Sequence, residues 1–261
     1  MPARNQALQL PPPKQMLEIL NLGVIPPGSK TIAVNDITLR LNKGAGLAII
    51  GPSASGKSSL AKAIVGIWEP ARGEVKLDGA TINQWHPDVL GKHIGYLPQD
   101  VALFNGTIAQ NISRFEANPN ENDILAAASL ACVHSLIKQL PQGYATVIGD
   151  NGAGLSQGQR QRIALARAVY LNPFLIVLDE PNANLDKEGE KALAETILNC
   201  RMQGSIVIVI DHRHSSIQSL NLIAEMENGR IKRVIEAEKP KQEAPLVPAL
   251  TSQFNTVGSA A

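Results

Sequence analysis

Between an apolar run, Leu47 to Ile50, and a stretch of helix-forming residues lies Gly51-Pro52-Ser53-Ala54-Ser55-Gly56-Lys57-Ser58, which fits the pattern G-x-x-x-x-G-K-[ST]. No other segment constrains the fold as much. Its glycines let the backbone curl so that successive N–H groups point inward at an anion, and a following helix adds the positive end of its dipole. Such a loop needs a buried strand before it and a helix after it, so the chain is committed to at least one strand–loop–helix unit. Lys57 is placed to reach the outer phosphates of a polyphosphate, and the Ser58 hydroxyl to ligate Mg²⁺.

Strand and helix signals alternate through the rest of the chain. Ile37, Leu39 and Leu41 alternate with Thr38 and Arg40, the pattern of a half-buried strand. Leu47 to Ile50 reads as a strand buried on both faces, followed by a helix from Ser58 to Ile67. Val75-Lys76-Leu77 with Asp78-Gly79 reads as half a hairpin and its turn, and Asn228-Gly229 closes a later one. Asn122 to Ala131 is Ala-rich and helical, and Ser156 can N-cap a helix running to Tyr170. Leu175 to Leu178 and Ile206 to Ile210 are further buried strands, with a helix from Lys187 to Asn199 between them. This order implies an α/β fold with a mostly parallel sheet. Residues of about 100 to 170 are helix-dominated and are expected to form a separate lobe. Residues 1–15, with Pro11-Pro12-Pro13, read as a linker or arm, and 236–261, without apolar period, as a disordered tail.

Composition excludes several function classes. The 261 residues carry 24 Lys+Arg against 23 Asp+Glu, a net charge of +1, which argues against a nucleic-acid partner. No apolar run approaches the roughly 18 residues that span a bilayer, and residues 1–13 lack the apolar core of a secretory signal. The chain itself is therefore expected to be soluble. Cys132 and Cys200 have no paired spacing, which points to a reducing compartment without a disulfide or zinc framework.

A second set of groups complements the loop. Leu175-Ile176-Val177-Leu178 runs directly into Asp179-Glu180, and the end of a buried parallel strand is where ligands bind in such sheets. Asp179 is expected to hold Mg²⁺, through water, and Glu180 to orient or deprotonate a water attacking the terminal phosphate.

With these residues in place, Leu155-Ser156-Gln157-Gly158-Gln159-Arg160-Gln161-Arg162 resembles the LSGGQ signature and the downstream QR-Q-R run of ATP-binding cassette (ABC) ATPases. Further marks of that family stand in order: Gln99 in Tyr96-Leu97-Pro98-Gln99 matches the Q-loop, Asn184-Leu185-Asp186 the D-loop, and His212 in Asp211-His212-Arg213 the switch histidine. The resemblance covers Leu17 to Val234. It implies a P-loop NTPase (RecA-like) core, a small antiparallel β-subdomain and an α-helical subdomain within one domain over 16–235. It also implies ATP and Mg²⁺, with phosphates bound by Gly51 through Ser59, and Mg²⁺ by Ser58, Asp179 and Gln99. Two copies pair head to tail in this family, so Ser156, Gly158 and Gln159 would contact the γ-phosphate held by a second cassette. Gln99 would sense the metal and the attacking water, Asp186 would cross the interface, and His212 would contact the γ-phosphate.

Leu103-Phe104-Asn105-Gly106-Thr107-Ile108-Ala109-Gln110-Asn111-Ile112 resembles the LFxGTIxxNI stretch of exporter cassettes, and Tyr144 to Gly152 their TxxGExG loop, with Asp150 in place of Glu. Trp68-Glu69-Pro70 and Glu180-Pro181-Asn182-Ala183-Asn184-Leu185-Asp186 are most similar to type I secretion exporters of the protease/lipase kind. The resemblance implies a motor at the cytoplasmic face of the inner membrane, joined to a transmembrane domain fused upstream. The alternative is a degenerate or soluble cassette that dimerises on ATP without transport. Four further features depart from the pattern. Gln157 replaces a signature glycine, and no aromatic residue precedes Trp68, which removes on the order of 1 kcal/mol of adenine stacking. Asn221 stands where Asp is common, and Ala54 replaces a glycine, which requires that position to have φ below zero.

Overall fold

The structure is a computed structural model, and it describes residues 10–149, 152, 154–183, 185–211 and 219–237. The expectations for His212, Asn184, Asp150, Asn151, the first nine residues and the tail beyond 237 lie outside the described residues.

The strands are β1 (Met16–Val24), β2 (Val34–Asn42), β3 (Gly46–Ile50), β4 (Arg72–Leu77), β5 (Ala80–Thr81), β6 (Ile94–Leu97), β7 (Gly106–Thr107), β8 (Val147–Ile148), β9 (Leu175–Asp179), β10 (Ile206–Ile210), β11 (Leu222–Glu227) and β12 (Arg230–Glu236). The helices are α1 (Lys57–Ile64), α2 (Pro87–His93), α3 (Ile108–Ile112), α4 (Glu121–Leu130), α5 (His134–Lys138), α6 (Gln157–Val169) and α7 (Lys187–Met202).

Six strands form the central sheet in the order β12-β11-β3-β10-β9-β6, parallel except for the β11–β12 hairpin. Its inner strands are continuous runs of Ile, Val and Leu because both faces are covered. Odd and even positions serve different cores: Ile206, Ile208 and Ile210 face α1 and a four-stranded antiparallel sheet of order β2-β1-β4-β5. Val207 and Val209 face the helical side, with Ile108, Ile112, Ile163, Leu193 and Ile197. Each such side chain contributes about 1.5–3 kcal/mol of burial.

Strand order then arranges the chemistry. Four parallel neighbours, β3, β10, β9 and β6, end at Gly51, Asp211, Glu180 and the Pro98-Gln99 segment, so these groups share one edge of the sheet. The two exporter-like segments also meet, as Gly106 pairs with Ile148 and Thr107 with Val147.

Two helix boundaries differ from expectation. α1 stops at Ile64, not Ile67, because Gly66 (φ +78) closes a Schellman turn: Ile67 N donates to Lys62 O and Gly66 N to Ala63 O. α7 runs past Asn199 to Met202, where Gly204 closes the same turn. At the entry of the chain, the backbone N–H groups of Lys14, Gln15 and Met16 donate to the Asp78 carboxylate at 2.6, 3.0 and 2.8 Å, fixing the arm's last residues to the β4–β5 turn. Among the described residues no helix is long and apolar enough to cross a membrane.

Candidate active site

The loop of residues 51–58 leaves β3 and winds back under β11. A Cβ on Gly51 would sit 2.0 Å from Met226 O, and one on Gly56 (φ +99) 2.2 Å from Ala33 O, so only glycine fits where those backbones press together. Ala54 has φ +62, which overturns the expectation of a negative φ there. A left-handed alanine costs about 1–2 kcal/mol, and the loop holds it in place from both ends. Pro52 and Ser53 are exposed and Ser59 is half-buried in the first turn of α1.

Lys57 opens α1 and is 94% buried (6% exposed), with its ammonium donating to the carbonyls of Gly51 (2.9 Å) and Pro52 (2.8 Å). Burial lowers its pKa, and the attraction of Glu180 and Asp179 works against that fall. Ser58 Oγ donates to Asp179 Oδ1 at 3.3 Å, and burial of Asp179 in β9 raises its pKa despite this bond. Immediately after Asp179 the chain turns left-handed at Glu180 (φ +51), whose N–H donates to Ile210 O at 2.8 Å. That turn brings Glu180 Oε2 to Gln99, which donates from Nε2 at 2.9 Å.

These groups fit a polyphosphate with a divalent cation. Among the described residues the Ser55 hydroxyl is buried inside the loop without a hydrogen-bond partner, and Lys57 donates to the loop's own carbonyls. Ser58 and Asp179 present two oxygens at contact distance. A cation that keeps waters and phosphate oxygens needs only one or two protein oxygens of this kind.

The signature segment lies at the start of α6. Ser156 is the N-cap, accepting from Gln159 N at 3.2 Å while Gln159 Oε1 accepts from Ser156 N at 2.9 Å, a capping box. Ser156 and Gln157 are exposed and Gly158 half-exposed, so this helix end is open at the surface. Asp186 caps α7, accepting from Gly189 N (2.8 Å) and from Arg162 (3.1 Å); the Gly189 N–H holds its carboxyl below the ordinary range. His212, expected at the γ-phosphate, lies outside the described residues.

The structure adds residues that sequence reasoning did not assign. Gln161 donates to Pro181 O at 3.1 Å, linking α6 to the turn after Glu180. Asn182 donates to the buried Asp211 carboxylate at 2.6 Å, joining the ends of β9 and β10. Asn221 Oδ1 accepts from Gly46 N and from Arg201, both at 2.7 Å, a role its neutral amide fills. The QR-Q-R pattern carried a signal for Gln161, and Asn182 and Asp211 fall inside the segments quoted for Glu180 and His212, where nothing in the sequence shows that their side chains pair.

Comparison with known proteins agrees with this geometry. A family profile described as ABC transporter matches residues 34–183. The chain is 53% identical over 243 residues to the type I secretion system ATP-binding protein PrsD of Rhizobium meliloti (strain 1021), covering 93% of this chain and 41% of that protein. It is 41% identical over 216 residues to the ATP-dependent lipid A-core flippase of Pseudomonas savastanoi pv. phaseolicola, covering 82% and 36%. The structure of a bacterial Atm1-family ABC exporter with ATP bound superposes with a TM-score of 0.80 at 29% identity, over 88% of this chain and 40% of that one. The chain thus spans about two fifths of the length of these two curated relatives. The phosphate-loop geometry and these likenesses lead to one conclusion: the chain belongs to the ABC transporter family.

Proposed function

We propose that this cassette hydrolyses ATP to drive an exporter of the type I protein secretion kind, working as a head-to-tail dimer at the cytoplasmic face of the inner membrane. The observation that carries the chemistry is the division of labour between adjacent carboxylates: Asp179 holds Ser58, whereas Glu180 holds Gln99. Lys57 exchanges the Gly51 and Pro52 carbonyls for phosphate oxygens as ATP enters. Mg²⁺, held by Ser58 and Asp179, would supply positive charge beside the β- and γ-phosphates. Gln99 orients the Glu180 carboxylate, which takes a proton from the water attacking the γ-phosphorus. The bond from that phosphorus to the bridging oxygen breaks, and ADP and inorganic phosphate leave.

Ser156, Gly158 and Gln159 complete the site of a second copy, supported by the exposure of the α6 N-terminus and its positive dipole end. The docking face for a membrane domain is the β7–β8 region, where Phe104 is 60% and Val147 64% exposed. Likeness to PrsD favours protein secretion over lipid flipping. The ordered cassette runs over 16–235, with a helical subdomain of about 100–170.

Glu180→Gln tests the reading. Phosphate release should fall by at least about 10²-fold while ATP still binds, and a dimer should accumulate with ATP in light scattering. Equal hydrolysis by mutant and wild type overturns it.

A further inference from the structure

α6 has its signature serine at one end and two arginine-centred clusters at the other. Arg114, just after α3, is half-buried, and its guanidinium donates to the carbonyls of Arg167 (2.9 Å), Ala168 (3.0 Å) and Tyr170 (3.5 Å) at the end of α6. It also donates to Ile94 O (3.2 Å) at the start of β6 and to Gly91 O in α2. Arg167, in the last turn of α6, donates to Ala102 O at 3.0 Å and stacks over Phe104, its guanidinium carbon 5.4 Å from the ring centre. Among the described residues neither arginine has a carboxylate within ion-pairing distance. Burial lowers the pKa of both, that of Arg114 to about 10.

A partly buried cation without a carboxylate is costly unless its donors are used and the local field is negative; Arg114 meets both terms, whereas Arg167 keeps a buried Nη1 without a hydrogen-bond partner among the described residues. The C-terminal carbonyls of α6 supply that field. An aliphatic side chain would fill the same volume at lower desolvation cost, but it could not gather carbonyls from three separate segments as a planar fork of five donors does. The segments gathered flank one residue. β6 leads into Gln99, and Ala102 to Phe104 lead away from it.

We propose that Arg114 and Arg167 are positioning residues that fasten the end of the signature helix to both flanks of Gln99, so that Gln99 and Ser156 are oriented as one unit. α6 transmits that orientation because it is a continuous 13-residue helix, about 20 Å long, pinned at its middle by Gln161 to the turn after Glu180. In the dimer a change at Gln99 in one copy's site is thereby conveyed to the Ser156 that serves the other site. This rests on the ATPase reading above.

Arg167→Met, with Arg167→Lys as the conservative rescue, tests it; Arg114→Met is the harsher second variant. In steady-state ATP hydrolysis, Arg167→Met should lower kcat about tenfold, within the range for misplaced groups remote from the chemistry. KM for ATP should stay within about twofold, and Lys, which can still donate to Ala102 O, should restore most of kcat. Amide hydrogen exchange should quicken both at 99–104 and at 157–160. An unchanged kcat, a KM rise at constant kcat, or faster exchange confined to 99–104 overturns the proposal. If wild type does not turn over ATP, the ATPase reading fails, and exchange at 157–160 alone decides the coupling.

Discussion

Asp179 occupies a position that serves a ligand at the expense of the fold. Its carboxyl is buried at the end of β9 with Ser58 as a long hydrogen-bond donor, and burial raises its pKa. A raised carboxyl pKa means that the native chain keeps its proton to higher pH than the unfolded chain does. Below the unfolded pKa both states are protonated and the group contributes nothing; as pH rises through the raised native value, stability is lost. Asp179→Asn keeps the contact with Ser58 and removes the charge. Without nucleotide at pH 7 it should raise Tm by about 3 °C, roughly 1 kcal/mol for a chain of this size, and abolish turnover. The gain should shrink as pH falls from the raised native value toward the ordinary carboxylate range and be gone below that range. An equal or lower Tm at pH 7 would show that Asp179 is not destabilising. Lys57, Ser58, Asp179 and Glu180 were legible in the sequence because their chemistry is written contiguously beside apolar strands. Arg114 and Arg167 were not, because their partners are backbone carbonyls, one of them 65 residues away, and a carbonyl leaves no mark in sequence.

At the scale of the element, helix ends explain where sequence reasoning stopped short. Schellman turns close α1 at Gly66, α4 at Cys132 and α7 at Gly204. Apolar periodicity continues through Ile67, so α1 read as longer than it is, and Cys132 (φ +51) carries no glycine signal. At the other end of α1, Gly56 is both N-cap and part of the phosphate loop. Gly56 and Gly204 have nearly the same φ, +99 and +98, yet a Cβ on Gly204 meets nothing within 4 Å, whereas one on Gly56 meets Ala33 O at 2.2 Å. Gly204→Ala therefore isolates the left-handed penalty, about 1 kcal/mol. Gly56→Ala adds a backbone clash and should cost about 3 kcal/mol or more. Urea denaturation of the two variants reads the difference directly, and equal losses would mean that the approach of Ala33, just before β2, to the loop is not rigid.

At the scale of the molecule, alternating strand residues decide how many units unfold. Strands β3, β9 and β10 read as buried because both their faces are covered, and that much was plain from uninterrupted runs such as Ile206–Ile210. What the runs could not reveal is which partner each residue meets. Val207 and Val209 pack with Ile108, Ile112 and Ile163 of the helical side, while Ile206, Ile208 and Ile210 pack with α1 and the antiparallel sheet. The helices between 100 and 170 thus share their core with the central sheet. Removing that core exposes one face of strands whose other face holds the remaining half together, so the two halves should unfold in a single transition, with equal calorimetric and van't Hoff enthalpies. Nature supplies a local probe: both tryptophans, Trp68 and Trp85, lie in the first hundred residues, and Trp68 packs against the core shared by α1 and the antiparallel sheet. Ile112→Ala, a fully buried truncation in α3, should cost about 2–5 kcal/mol. It should move the tryptophan fluorescence midpoint and the circular dichroism midpoint down together, by about 2–4 °C for each kcal/mol. Were fluorescence to keep its wild-type midpoint while ellipticity melted early, the helices of 100–170 would be a unit with a stability of their own, and the shared core would not couple the halves.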